Sequence, residues 1–135
     1  MFKMTLNKIN MRLRNLFILN IFIAIFFGGT CTFFPRFVAS LYGIVPDDAS
    51  VWITRLAGGS ILGFATLMWF GIKTASVETR RAIAIALLVQ DTVGFFASLI
   101  FQLTGKVNAF GWSSLAIYGG LALAYGYFLF IRPGR

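Results

Sequence analysis

The stretch Ala82–Thr104, AIAIALLVQDTVGFFASLIFQLT, contains a single charged side chain, Asp91. A helix rises about 1.5 Å per residue, so this stretch is long enough to cross the ~30 Å hydrocarbon core of a bilayer. An ionised carboxylate that faced lipid near the middle of such a helix would be costly. The sequence therefore predicts a transmembrane helix that turns Asp91 toward the interior of a bundle, where it is paired or keeps its proton.

The composition of the whole chain is typical of a membrane protein. Its 135 residues are 59% hydrophobic and 12% charged, and the mean hydropathy is +0.84. Soluble domains carry roughly 25% charged residues, about twice this share. We therefore expect one all-α membrane domain, residues 1–135, built as an integral membrane four-helix bundle.

The net charge of +8 does not indicate a nucleic-acid partner. The basic residues stand at the ends of apolar segments and form no stripe with stacking aromatic side chains between them. The chain has one cysteine, Cys31, and no histidine, so it offers no intrachain disulfide and almost no ligands for zinc or haem. We expect the lipid bilayer as the partner, and no metal, cofactor or nucleic acid.

Four apolar segments are separated by connections that hold nearly all of the remaining charge. The predicted spans are Leu16–Phe34, Val51–Ile72, Ala82–Thr104 and Phe110–Ile131. The first span follows a basic tail and shares this pattern with a signal anchor. Because no A-x-A cleavage site stands near its end, we interpret it as the first transmembrane helix.

The distribution of lysine and arginine predicts the orientation of these spans. If four helices alternate in direction, the N-terminal tail, the second connection and the C-terminal tail lie on one side of the membrane. These parts contain most of the basic residues: Lys3, Lys8, Arg12, Arg14, Lys73, Arg80, Arg81, Arg132 and Arg135. Because such residues are enriched on the cytoplasmic side, we expect a multi-pass membrane protein with both termini in the cytoplasm.

The first connection, FPRFVASLYG (residues 34–43), has the pattern of a short helix. Pro35 stands where a helix can begin, and Gly43 stands where it would end. The apolar side chains between them share one face. We therefore predict a short interfacial helix, residues 35–43, at the outer surface of the membrane.

Small residues recur at helical spacing in the second and fourth spans. Gly59 and Gly63 are four residues apart, and so are Gly120 and Ala124. Small residues at this spacing let a neighbouring helix approach closely inside a membrane. We expect these residues to pack within one bundle, with packing between copies as the alternative.

Polar residues of the third span share one face of the predicted helix. Asp91, Ser98 and Gln102 follow one another at helical spacing, with Gly94 between the first two, which predicts a polar stripe toward the outer end. Tyr118 and Tyr125 on the fourth span bracket the depth of Asp91. Their phenol groups are candidate hydrogen-bond partners for the carboxyl group.

Two interpretations of Asp91 stay open. It is either a structural pin that fixes the register of the helices, or a proton or cation site, since intramembrane acids often mark such pathways. Arg55 matches the depth of Gln102 better than that of Asp91, so an Arg55–Asp91 ion pair needs a helix shift or a bridging water. Otherwise Arg55 extends to the outer headgroups.

The residues needed for the common catalytic sites are missing from the sequence. A Ser/His/Asp triad requires histidine, and the adjacent acids Asp47 and Asp48 have no further acid near them in the sequence. No phosphate-binding loop precedes a basic helix. We therefore do not expect an enzyme.

Two segments, Phe34–Gly43 (FPRFVASLYG) and Arg55–Gly63 (RLAGGSILG), resemble small bacterial four-span inner-membrane proteins of unknown function. In those proteins an F-P-x-x-hydrophobic-x-x-LYG-like loop follows the first helix, and an R-x-x-G...LG pattern follows in the second. The resemblance implies the four-helix fold and a bacterial inner membrane. It implies no activity.

Two hypotheses for the function result. In the first, the chain is a non-enzymatic accessory subunit that acts by packing, in a homo-oligomer or a larger membrane complex. In the alternative, it is a small proton- or cation-coupled transporter or channel. Asp91 would then take the proton or cation, while Arg55, Ser98 and Gln102 line the outer route.

Overall fold

A computed structural model of the protein describes the backbone of residues 2–131 and the side chains of residues 13–131. All regular structure in this range is helical: α1 (Phe2–Phe33), α2 (Pro35–Leu41), α3 (Asp48–Lys73), α4 (Val77–Leu103) and α5 (Gly111–Gly126), which continues as a π-helical segment (Tyr127–Ile131). The terminal basic residues used to predict the orientation lie outside the described side chains: Lys3, Lys8, Arg12, Arg132 and Arg135.

The prediction of four apolar helices is confirmed. Four segments are long and apolar enough to cross a membrane: Leu13–Phe33, Asp48–Lys73, Val77–Leu103 and Gly111–Ile131. Large apolar side chains cover their outward faces, and Phe22, Phe26, Val93 and Leu123 are all more than half exposed. In water such a surface would be unfavourable, whereas lipid tails solvate it.

Helix caps extend α3 and α4 beyond their apolar segments. Asp47 Oδ1 accepts a hydrogen bond from Ser50 N (2.7 Å), and Ser50 Oγ accepts one from Asp47 N (3.0 Å). This reciprocal capping box satisfies backbone groups that a helix start leaves unpaired. Ser76 Oγ accepts from Thr79 N (3.1 Å) in the same way. The helices therefore begin at polar residues ahead of the predicted spans.

The short helix in the first connection is present as α2. It begins at Pro35 and ends at Leu41, slightly earlier than the predicted residue 43. The chain then turns through Gly43, whose φ of 76° lies in the left-handed region that favours glycine. Gly43 N and Ile44 N donate to carbonyl groups at the end of α2 (both 3.0 Å), which closes the helix.

The bundle consists of two closely packed helix pairs, α1 with α3 and α4 with α5. In the first pair the backbones meet at two glycines, since a Cβ on Gly58 would lie 2.8 Å from Gly28 O. In the second pair the ring of Tyr118 packs against Gly94. A Cβ added to Gly94 would lie only 2.7 Å from this ring. The largest fully buried side chains lie in the core between the pairs: Phe17, Met68, Leu87 and Tyr125.

Hydrogen bonds join different elements at both ends of the bundle. At the end formed by α2 and the α4–α5 connection, Asn108 Nδ2 donates to Leu41 O (2.9 Å) and Asn108 N donates to Tyr42 O (3.0 Å). At the opposite end the buried guanidinium of Arg80 donates to Gly71 O (3.1 Å) and Thr74 O (2.6 Å). The two bonds of Arg80 satisfy carbonyl groups at the end of α3 and hold the start of α4 against it.

Candidate functional site

A cavity of about 530 Å³ lies between the two helix pairs. It exists because the helices pack closely within each pair and less extensively between the pairs. Val38 and Tyr42 of the α2 region line it toward one end. Met68, Leu87 and Leu121, which belong to the buried core, line it toward the other. The described lining is mostly apolar, with a few polar side chains.

Asp91 lines this cavity and is 3% exposed. Its Oδ2 atom is buried and has no hydrogen-bond partner, and no described residue forms a hydrogen bond or ion pair with it. The neighbouring Gln90 also lines the cavity, and its Oε1 atom is likewise buried without a partner. Two adjacent acceptor groups thus lack a donor within the described part of the chain, which is rare for buried polar groups.

The two tyrosines of the predicted site have different surroundings. Tyr118 lines the cavity and packs its ring on Gly94, one helical turn from Asp91. Tyr125 is fully buried, and its hydroxyl accepts a hydrogen bond from Asn20 Nδ2 (2.9 Å) and donates one to Met68 Sδ (3.7 Å). Tyr125 therefore belongs to a cross-helix pair with Asn20 and does not bind Asp91.

The polar stripe of α4 divides between two environments. Ser98 lines the cavity together with Asp91. Gln102 does not: its side-chain carbonyl packs in the space that a Cβ of Gly111 would fill, and its Nε2 atom donates to Asn108 O (3.3 Å). Gln102 thus supports the contact between α4 and the start of α5.

Arg55 lies on an exposed face of α3, outside the set of residues that line the cavity. Its neighbour Thr54 lines the cavity instead. The ion pair between Arg55 and Asp91 is not formed, since Arg55 is exposed whereas Asp91 is buried at the cavity. The ion pair among the described residues joins Arg36 and Asp48 (3.4 Å) at the surface. This placement leaves Arg55 free of the cavity and suited to contact with headgroups.

The predicted packing glycines do not pack inside the bundle. A Cβ on Gly59, Gly63 or Gly120 would meet no atom within 4 Å, so all three face open space. Ala124 does pack against the core. For the three glycines, the expectation of packing within the bundle is therefore corrected. In α3 the close approach is made at Gly58, one residue before Gly59. Consecutive residues of a helix point about 100° apart, so the two glycines face different surroundings.

Several cavity residues were not anticipated from the sequence, among them Tyr42 and Ser114. Tyr42 and Ser114 both line the cavity, and their hydroxyl groups form a hydrogen bond. The ring of Tyr42 also stands edge-on to Phe110 at a centroid distance of 5.2 Å. Tyr42 stands in a connection between two predicted spans, so helical spacing gave no signal for it.

The described residues contain no group of three His, Cys, Asp or Glu side chains that could hold a metal ion. Among the described residues that line the cavity, Asp91 is the one acid, and amide and hydroxyl groups line the cavity with it. A carboxyl group can bind a proton or a cation. Comparisons of the chain with protein-family models, with curated proteins and with solved structures find no match. The function is accordingly argued from the site.

Proposed function

We propose that this chain is a small proton- or cation-coupled transporter in which Asp91 binds the transported or coupling cation. The observation that carries the proposal is the carboxyl group of Asp91, which is buried at a cavity and has no partner among the described residues. An ionised carboxylate in such a place is strongly unfavourable. It therefore requires a proton or a cation from the cavity.

The surroundings of Asp91 argue against a purely structural pin. A pin fixes helix register through a hydrogen bond to another helix, and the Asn20–Tyr125 bond between α1 and α5 fits that description. Asp91 forms no such bond with the described residues. A carboxyl group that is held in place without a partner is better suited to a changing occupant.

The setting we propose for this activity is a bacterial inner membrane, with the bilayer as the partner, both termini in the cytoplasm and no enzymatic activity. The basic residues of the tails and of the α3–α4 connection support this orientation. It places α2 at the outer interface. Phe37 of α2 is 57% exposed, which suits contact with the interfacial region.

The test is a flux assay with the full chain in liposomes that contain a pH-sensitive dye. An imposed proton or potassium gradient is applied to wild type, to Asp91→Asn, which is nearly isosteric, and to Glu78→Gln. Glu78 is an exposed acid at the start of α4, so its variant controls for loss of a carboxylate. We expect flux in wild type and Glu78→Gln and its loss in Asp91→Asn. Equal flux in all three would refute the proposal.

The accessory-subunit hypothesis is the second candidate, and the exposed glycines of α3 favour it. Gly59 and Gly63 leave a flat outward face on which another helix could approach closely. Self-association in liposomes, measured by single-molecule photobleaching, should then fall in Gly59→Leu and remain in the control Ala86→Leu, at an exposed small residue of α4. Monomers in wild type would exclude a homo-oligomer through this face.

A further inference from the structure

We propose that the cavity binds a protonated primary or secondary amine with an apolar body, whose N–H groups donate to Asp91 and Gln90. This inference rests on the proposed function, because it names the chemical class of the cation that Asp91 binds. Three properties of the described cavity support it: the unpartnered acceptors, the charge of the lining and the apolar volume.

The unpartnered atoms require hydrogen-bond donors. Asp91 Oδ2 and Gln90 Oε1 are both acceptors, both are buried and neither has a donor. Because both residues line the same cavity, one ligand there can approach both. A protonated amine supplies several N–H donors and a positive charge on one atom, whereas a proton satisfies only the carboxyl group and leaves the amide oxygen unpaired.

The charge of the lining selects a cation of charge +1. The described lining residues include one acid, Asp91, and no lysine or arginine. A single carboxylate neutralises one positive charge, and an anion would find no cation there. A divalent inorganic ion such as Ca²⁺ requires about six to eight oxygen ligands, and the described residues contain no cluster of acids around the cavity.

The volume and the apolar walls call for an organic body. The cavity volume of about 530 Å³ lies within the range of roughly 300–1,000 Å³ that is typical of small-molecule sites. A bare ion would leave most of this space to be filled by water against apolar side chains. Phe27, Phe64 and Phe101 line the cavity with Tyr118. These rings favour an apolar or aromatic group beside the charge.

The test uses the full chain in lipid nanodiscs and three probes that share one naphthylmethyl body. They are 1-naphthylmethylamine, the neutral 1-naphthylmethanol, and the quaternary trimethyl derivative of the amine, which has no N–H group. Equilibrium dialysis against empty nanodiscs separates binding to the protein from partition into lipid. The proteins are wild type, Asp91→Asn, Gln90→Leu and the control Glu78→Gln.

We expect wild type to bind the amine at least about tenfold more tightly than either other probe, a difference of about 1.4 kcal/mol. Asp91→Asn should lose this preference, Gln90→Leu should reduce it, and Glu78→Gln should keep it. Equal binding of amine and alcohol by wild type, or an undiminished preference in Asp91→Asn, would overturn the inference. Equal binding of the amine and the quaternary probe would overturn its N–H part. If Asp91→Asn fails to fold, the comparison of probes on wild type decides alone.

The flux assay separates this inference from the proposed function. Asp91-dependent proton or potassium flux without a preference for the amine would overturn the inference and leave the transporter in place. Binding of the amine through Asp91 without any Asp91-dependent flux, including flux of the amine itself, would support the inference and overturn transport.

Discussion

At the scale of single residues, two buried polar groups at similar depth have opposite roles. Tyr125 has both a donor and an acceptor partner, Asn20 and Met68. Asp91 has neither among the described residues. A satisfied buried group stabilises a unique packing, whereas an unsatisfied one is a free-energy cost that a ligand can remove. We therefore expect the fold to depend on Tyr125, and the proposed activity to depend on Asp91.

The substitution Tyr125→Phe tests the first half of this distinction. It removes the acceptor of Asn20 Nδ2, so a buried amide donor loses its partner, and we expect the free energy of unfolding to fall by about 1–3 kcal/mol. The measurement is unfolding in mixed micelles followed by circular dichroism. Tyr127→Phe, at an exposed position with no described side-chain hydrogen bond, should change it by less than about 0.5 kcal/mol. Equal effects would contradict the assignment.

The sequence predicted part of the site because depth and helical face can be derived from spacing. Asp91, Ser98 and Tyr118 do line one cavity. Arg55 and Gln102 do not, although their depth is suitable. Spacing along one helix leaves open which neighbour each face meets. The sequence therefore could not show whether Arg55 and Gln102 line the cavity or contact something else, because that depends on which helices pair.

At the scale of helical elements, the contact between α1 and α3 depends on Gly58. The same helix offers a matched control, because Gly58 touches the backbone of α1 whereas its neighbour Gly59 faces open space. The sequence predicted close packing from the spacing of Gly59 and Gly63, but this spacing did not show that the face of Gly58 meets Gly28. Each helix contains two adjacent glycines, Gly28–Gly29 and Gly58–Gly59, and these were the available signal for a close contact.

The substitution Gly58→Ala should destabilise the bundle by about 1–3 kcal/mol. Its Cβ would lie 2.8 Å from both Gly28 O and Thr32 N, which are backbone atoms and cannot rotate away. Gly59→Ala adds a Cβ in open space and should be neutral or raise stability by up to about 1 kcal/mol, since alanine favours a helix. The same micelle unfolding assay measures both. A stable Gly58→Ala protein would show that the helices do not approach this closely.

The N-terminus of α3 should loosen in acid. Hydrogen bonds from Ser50, first from its side chain and then from its backbone, lower the pKa of the Asp47 carboxyl group. A group with a lowered pKa in the folded state stabilises that state above its ordinary pKa of about 4, and this contribution is lost as the pH falls through the lowered value. We expect the hydrogen-exchange protection factor of the Ser50 amide, measured by NMR, to fall below about pH 4.

The variant Asp47→Asn provides the control for this prediction. Asparagine caps a helix without titrating, so the protection factor of Ser50 should become nearly independent of pH in this range. The same acid-dependent loss of protection in Asp47→Asn would assign it to another group.

At the scale of the whole molecule, a cavity lies between two closely packed helix pairs, which are joined at the ends of the bundle. Asn108 ties the α4–α5 connection to the α2 region, and Arg80 ties α4 to the end of α3. The number and type of the spans could be predicted from the sequence because they follow from long apolar runs. The cavity could not, because it results from how the pairs fit together.

The proposed orientation predicts which connections face the outside of the cell. In a Cys31→Ala background, Lys106→Cys in the α4–α5 connection and Ala75→Cys in the α3–α4 connection both add an exposed thiol. A membrane-impermeant maleimide added to intact spheroplasts should label Lys106→Cys, and should label Ala75→Cys only after permeabilisation. The reverse pattern would invert the orientation and place α2 on the cytoplasmic side.

The most direct test of the central claim is infrared difference spectroscopy of the Asp91 carboxyl group in reconstituted protein as the pH is changed. We expect a protonated-carboxyl band in wild type and Glu78→Gln that is missing from Asp91→Asn and disappears when the pH is raised, because the proton leaves through the cavity. A carboxyl or carboxylate band that does not respond to pH while the protein stays folded would contradict the account. Asp91 would then be a fixed part of the structure.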